Sequence, residues 1–344
     1  MKLLVVTQVV DREDPVLGFF HAWIEALAAR IESVHVICLK EGVHSLPANV
    51  QVYSLGKEKG SKPGIVYAGR FLSLVWKLRH EYDRVFVHMN QEYILIAGWL
   101  WELLNKPVYM WRNHYAGSWR TDLAASTCTK VFCTSKYSYT AKYKKTVIMP
   151  VGVDTERFSG QAISARIPHS ILFLARMSPS KNVGILLDAL EILKKNGTPF
   201  TASLYGDPLP GDALYYASLI ERVHTSALSG SVTFHAGIPN ADTPPIYAAH
   251  KIFVNCSPSG MFDKTLFEAA ASGCLVLASS LDFRSLAGID YYFEGETQLA
   301  DRLEALLSYT GGKLLNATKE LQGITSEESL TALGNRLVLE LAGS

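Results

Sequence analysis

Along the whole chain, short runs of apolar and β-branched residues alternate with longer stretches in which apolar residues return every three to four positions. The short runs predict strands at residues 3–7, 35–39, 50–54, 84–88, 108–112, 130–134 and 146–149, and the longer pattern predicts helices at 18–29, 66–79 and 93–105. A second series of strands is predicted at 170–174, 201–205, 231–235, 252–255 and 274–278, with a helix running to about residue 195 after the first of them. Runs this continuous in apolar character, separated by helical patterns, predict parallel sheets covered by helices on both faces. The segment 150–160 is rich in turn formers, and we expect the domain boundary there. The expected organisation is α/β with two Rossmann-like, doubly wound domains, 1–155 and 156–325, facing across a cleft. Residues 326–344 are expected to form a C-terminal helix that packs back towards the first domain.

Composition fits two ordinary cores. The 344 residues include 33 Lys and Arg against 32 Asp and Glu, a net charge of +1, and 48% are hydrophobic. Such a chain is neither disordered nor basic enough for a nonspecific nucleic-acid binder. Five cysteines, an odd number in apolar surroundings and without metal-ligand spacing, suggest a reduced, cytoplasmic protein with no structural metal. The apolar start of the chain stops at Val10 before the charged Asp11-Arg12-Glu13-Asp14, which reads as a buried strand and not a signal peptide; no stretch is apolar enough to span a membrane.

Charge divides unevenly. Up to Phe158 there are 20 Lys and Arg against 14 Asp and Glu, net +6; the remainder has 13 against 18, net −5. Part of the basic excess lies in residues 57–79, where Lys57, Lys59, Lys62, Arg70, Lys77 and Arg79 surround Ile65, Val66, Phe71, Leu72, Leu74, Val75 and Trp76. A solvated helix with one buried face explains this stretch, and an interfacial helix on anionic lipid is the functional alternative.

The first strand is followed by Gln8-Val9-Val10-Asp11 where a dinucleotide-binding glycine motif would stand, and neither a P-loop nor a G-x-S-x-G elbow occurs. Three other features carry candidate chemistry. After the strand 170–174, Arg176 and Lys181 can converge on one anion at the ligand-binding end of the sheet, a pairing of guanidinium and ammonium suited to a diphosphate, although two solvated cations would read the same way. Residues 257–274, which include Gly260, Met261, Phe262 and Asp263, lie between two strands around a helix of small residues, and the small side chains with Gly260 let backbone N–H groups face a ligand at the helix N-terminus. Within this segment Thr265-x-x-Glu268 fits a capping box as well as a ligand position, and Asp263 fits a helix N-cap. In the first half, the strand ending at Arg112 leads into Asn113-His114-Tyr115-Ala116-Gly117, a candidate ligand histidine; His88, which also ends a strand, reads better as structural.

Taken together, Phe173-Leu174-Ala175-Arg176-x4-Lys181-Asn182, Leu204-Tyr205-Gly206-Asp207, residues 232–237, and residues 253–257 through Phe267-Glu268-Ala269-x2-Ser272-Gly273 resemble the retaining glycosyltransferases of family 4, enzymes of the GT-B fold. In the first half, Pro150-Val151-Gly152-Val153-Asp154-x3-Phe158 is similar to the family's interdomain motif, and residues 14–18 stand where the family has its glycine-bearing loop, here with Gly18. The resemblance implies that Arg176 and Lys181 bind the donor diphosphate, Glu268 holds the ribose, residues Gly260 to Asp263 contact the donor sugar or phosphate, and His114 contacts the transferred sugar, with His114, Arg176 and Lys181 as the catalytic residues. One position departs from the pattern: the first Glu of the family's E-x7-E motif is Gly260 here, leaving Asp263 or a group of the first domain to supply a carboxylate.

The expected activity is metal-independent transfer of a sugar, hexosyl-like, from a nucleotide sugar to a glycan, lipid-linked or small-molecule acceptor, with retention, no separate cofactor and no nucleic-acid partner. The expected location is cytoplasmic, peripheral to the inner face of an anionic membrane. A non-catalytic nucleotide-sugar or glycan-binding protein and a sugar-nucleotide epimerase are the alternatives on the same fold.

Overall fold

The protein is described by a computed structural model covering residues 1–14, 16–159, 166–260 and 263–343. It divides into two compact units, one of Met1–Gly152, Pro239–Ala241 and Leu330–Ser344, the other of Val153–Ile238 and Asp242–Ser329.

The first unit holds β1 (Lys2–Val10), β2 (Ser33–Glu41), β3 (Val50–Ser54), β4 (Arg84–His88), β5 (Val108–Trp111), β6 (Lys130–Cys133) and β7 (Thr146–Ile148). They form one sheet in the order β3-β2-β1-β4-β5-β6-β7, every neighbouring pair parallel. Along β1, Leu3 and Val5 point into one core cluster and Leu4 and Val6 into another. A period of two combined with a run apolar at every position requires a layer on each face. One layer is α1 (Phe19–Ala28), through Phe20, Trp23, Ile24 and Leu27; the other is α2 (Gly64–Lys77), α3 (Glu92–Leu103) and α4 (Trp119–Ser126). The last helix, residues 330–342, lies beside α1, where Leu333, Leu337 and Leu341 at four-residue spacing join the same cluster. Lys130 adds an ion pair of 3.1 Å to Glu340.

The second unit repeats the plan with β8 (Ser170–Leu174), β9 (Thr201–Tyr205), β10 (Val232–His235), β11 (Ile252–Asn255) and β12 (Leu275–Ala278), all parallel, in the order β10-β9-β8-β11-β12. Between its strands run α5 (Val183–Lys195), α6 (Ala213–Thr225), α7 (Thr243–Ala249) and α8 (Lys264–Ala271). β1 is longer than its apolar pattern suggests: Gln8 and Val9 are half-buried, yet their backbone continues the ladder, with Val9 and Val10 aligned on Lys40 and Glu41.

Candidate functional site

Each sheet runs outward from its first strand in both directions, so β1 and β4 in one unit, and β8 and β11 in the other, are neighbours, and right-handed crossovers leaving such a pair put the following helices on opposite faces. The loops at the carboxyl ends of such a pair part from each other and leave a crevice. In the second unit those loops are residues 175–182 and 256–263, the two segments richest in candidate chemistry.

Lys181 does not enter the helix that follows. It closes a short 3-10 turn, Pro179–Lys181, and Asn182, in the left-handed region at φ 49°, separates that turn from α5. The turn sends the side chain inward: Lys181 is 6% exposed, and its Nζ lies 2.7 Å from Asp263 Oδ2 and 3.0 Å from Ser257 Oγ. Ser257 Oγ donates to the same Oδ2 at 2.6 Å, and so does Asn255 Nδ2 at 3.0 Å. Asn182 Nδ2 donates to the carbonyl of Cys256 at 3.2 Å, tying one loop to the other. Burial acts to raise the Asp263 pKa, but the Lys181 ammonium and the donated hydrogen bonds prevail and hold it below the ordinary carboxylate value.

Asp263 precedes α8 in extended conformation, but its side chain makes no bond to the helix, so it is not the side-chain cap the spacing allows. Its oxygen is drawn instead to the cation and hydroxyl beneath it. Thr265 lies one position inside the helix, too late to head a capping box, and its hydroxyl accepts from Asn255 at 3.3 Å. Glu268 is therefore no cap either. It is 4% exposed, and its Oε2 accepts from the hydroxyl of the fully buried Tyr247 at 3.1 Å. Burial, then the nearby Glu268 carboxylate, keeps that tyrosine protonated well beyond its usual range. One turn before Glu268, burial lowers the pKa of the Lys264 ammonium, against the pull of Glu268.

Gly260 adopts φ 91°, closed to most side chains, and its N–H points to the buried carboxylate of Asp282 at 3.3 Å. Asp282, just after β12, thereby anchors the loop. Ser259 adds a second tie by accepting from Leu281 N at 2.9 Å. Met261 and Phe262 lie outside the described residues.

Arg176 contrasts with Lys181. It is exposed, and among the described residues its guanidinium has no hydrogen bond or ion pair. Its loop is fixed from behind by Ala175 N to Tyr205 O at 3.1 Å and Met177 N to Asp207 O at 3.0 Å, which gives the Leu204 to Asp207 motif a supporting function.

In the first unit, His114 follows β5 and is half-buried, stacked on Tyr115 with ring centroids 4.6 Å apart. Its Nδ1 lies 2.9 Å from Ala116 N and 3.3 Å from Ala116 O, and the shorter contact, in which Nδ1 accepts, favours the tautomer with the proton on Nε2. His88 is core: 1% exposed, stacked on Phe20 at 3.9 Å and within 3.3 Å of the Thr7 hydroxyl. Gly18 sits at the start of α1, its N–H bonded to Asp14 O at 3.0 Å; a side chain there would meet the carbonyls of Asp14 and Arg12 at 2.6 and 2.8 Å. Pro15 of the same loop lies outside the described residues.

Sequence reasoning missed Tyr247, Asp282, and the parts played by Asn255 and Ser257. Asn255 and Ser257 carry a signal, being polar at the end of an otherwise apolar strand; Tyr247 and Asp282 carry none, because burial alone makes their partners matter. All five cysteines are buried and free, and burial lifts the Cys256 thiol to about 12. Among the described residues no three His, Cys, Asp or Glu gather as a metal site, and no helix is long and apolar enough to cross a membrane.

Residues 168–309 match the family model for glycosyl transferases group 1. Among solved structures, Anabaena HepE in complex with UDP and glucose is similar over 100% of both chains at 19% identity and a TM-score of 0.79. A glycosyltransferase from Rickettsia africae is similar over 100% of both at 16% identity and a TM-score of 0.75. WaaG, a glycosyltransferase involved in lipopolysaccharide biosynthesis, is similar over 99% of this chain and 100% of its own, at 15% identity and a TM-score of 0.71. No curated protein matches the chain in sequence. With a parallel sheet in each of two units, the chain has the GT-B fold, and the pattern of the glycosyl transferases group 1 family runs across most of its second unit, residues 168–309.

Proposed function

We propose that this chain is a retaining hexosyltransferase whose second unit binds the nucleoside-diphosphate sugar at the carboxyl ends of β8 and β11. The observation that carries this reading is the gathering of Arg176, Lys181 and the start of α8 at the topological switch point of that sheet, with Glu268 buried one turn further along the helix. HepE, similar in fold, has been crystallised with UDP, with UDP-glucose, and with UDP and glucose.

As the sugar leaves, negative charge develops on the diphosphate. The Arg176 guanidinium, open to solvent, and the Lys181 ammonium, already fixed in place, stabilise it without waiting for solvent to reorganise. Glu268 accepts from the ribose hydroxyls, oriented by Tyr247. For His114 the role is contact with the transferred sugar, Nε2 donating. The loop at Gly260 and Asp263, lacking the family's carboxylate, selects the sugar. Incubation with UDP-, GDP- and ADP-sugars, with and without glycan acceptors, tests this: diphosphate release that rises with acceptor supports transfer, binding without release indicates the non-catalytic reading, and isomerised donor indicates an epimerase.

The acceptor side of the proposal is a glycan or lipid-linked acceptor reached from the cytoplasmic face of an anionic membrane. The helix α2 supports it. Phe71 and Val75 are buried and account for its inner face, whereas Ile65 is 79% and Trp76 49% exposed, near the exposed Lys57, Lys59, Lys62 and Lys77. Apolar side chains on the outer face beside lysines are what an anionic interface attracts, at about 1 kcal/mol per basic residue. Co-sedimentation with phosphatidylserine vesicles but not with neutral ones is the expected result, weakening as salt rises; equal recovery with both refutes it.

A further inference from the structure

The two cations that the sequence presents as equivalent are held in opposite ways. Arg176 is exposed and unpaired among the described residues, whereas Lys181 is buried and held by Asp263 and Ser257. Among the described residues, the three side-chain donors to Asp263, from Lys181, Ser257 and Asn255, converge on a single oxygen, Oδ2. A carboxylate with one oxygen saturated from within the protein is fixed, and it fixes the ammonium in turn.

We infer that Asp263 is a resident counter-ion of Lys181, a positioning residue that lets the site prefer the nucleotide sugar over the free nucleoside diphosphate. The inference rests on the proposed contact between Lys181 and the diphosphate. With Lys181 neutralised in advance by Asp263, and Lys264 set against Glu268, the phosphate-binding end offers Arg176 as its one uncompensated cation among the described residues. A nucleotide sugar, esterified at its terminal phosphate, has one ionisation fewer than the free nucleoside diphosphate, whose terminal phosphate loses its second proton near pH 6, roughly as a phosphate monoester does. At neutral pH the product therefore carries about one more negative charge than the donor, and a carboxylate beside the phosphates opposes that extra charge. Such a device lowers product inhibition and favours release after transfer. It also gives the departure at residues 260–263 a physical meaning: the carboxylate here faces a lysine and acts on phosphate charge.

The experiment compares dissociation constants of UDP with UDP-glucose, and of GDP with GDP-mannose, for the wild type, Asp263→Asn and Arg176→Ala at pH 7.5, with melting temperatures taken alongside. Asp263→Asn keeps the shape and can still accept from Ser257, and it should tighten the free diphosphate about tenfold more than the nucleotide sugar, the size expected for one added charge interaction at short range. It should also make diphosphate binding steeper in pH between 5.5 and 7.5, which a purely structural anchor would not do. Equal changes for product and donor, or weaker binding of both, overturn the counter-ion role. Should the variant not fold, the wild type decides: its preference between product and donor should shift less than about threefold over that pH range, and a shift of tenfold or more towards the product would show that no carboxylate offsets the extra charge. Failure of the underlying reading looks different, since Arg176→Ala would then leave every affinity unchanged; no binding by either pair would overturn both.

Discussion

The two units share one topology and put it to different use. At the carboxyl ends of β8 and β11 the side chains form a charged network: Lys181, Asp263, Ser257 and Asn255, with Asp282 holding the neighbouring loop. At the corresponding end of β4 the histidine is packed into an aromatic cluster, His88 against Phe20 at 3.9 Å and Trp23 at 5.6 Å. Topology thus fixes where a ligand can lie, but the residues set down there decide whether the place binds or merely packs. Every buried polar group must find a partner, and in one unit those partners are ions while in the other they are ring faces and a hydroxyl.

The strongest test of this contrast is Arg176→Ala, which should reduce transfer by roughly 30- to 1000-fold, about 2–4 kcal/mol of transition-state stabilisation, with an unchanged melting temperature. Lys181→Ala should cost a similar factor in rate but also destabilise the fold, since it leaves the partly buried Asp263 without its cation, by less than the roughly 3–5 kcal/mol typical of a fully buried pair because Ser257 and Asn255 still donate to it. Adding Asp263→Asn to Lys181→Ala should restore most of the melting temperature and none of the rate, and recovery of both would return the pair to a structural role.

Substitution of His88 by Ala probes the other side of the comparison. It should lower stability by about 2–3 kcal/mol, as deletion of a buried ring does, while nucleotide affinity stays within twofold. Loss of nucleotide affinity in that variant would blur the distinction between the units. For Glu268→Gln the forecast is a nucleotide affinity several-fold weaker, near the lower end of about 1–3 kcal/mol for a disturbed buried hydrogen bond, with Tyr247→Phe following in the same direction. Titration calorimetry on both variants reads it.

The smallest expected effect is on acid stability. Because the folded protein holds the Asp263 pKa below its unfolded value of 3.8, the unfolded chain binds more protons in the window just below that value. The contribution is fully present above pH 3.8 and is lost as pH falls through the folded pKa. Asp263→Asn should accordingly flatten the acid limb of a stability curve and leave its shape above pH 5 unchanged.

Much of the fold is legible in the sequence because buried parallel strands leave little choice of residue. Val5, Val36, Val85 and Val131 occupy positions closed on both faces, and only apolar side chains fit there. The site is legible as a place, since Arg176 and the 257–268 segment follow predicted strands. Its chemistry is legible only in part. Whether Lys181 faces outward or inward depends on the 3-10 turn and the left-handed Asn182, whose side chain is tied to Cys256 in the loop after β11. The same holds for Thr265 and Glu268, whose spacing fits a capping box until the helix is seen to begin at Lys264. A shift of one residue in a helix start changes which side chain is a cap, and local sequence does not fix that boundary.

The central claim, that the second unit binds the diphosphate through Arg176 and Lys181, is tested most directly by calorimetric titration of UDP, GDP and ADP into the full chain and into the Arg176→Ala and Lys181→Ala/Asp263→Asn variants. At least one nucleotide should bind the wild type with affinity that falls as salt is raised, and each variant should weaken that binding by tenfold or more, about 1.4 kcal/mol. Binding to both variants within twofold of the wild type would contradict the account.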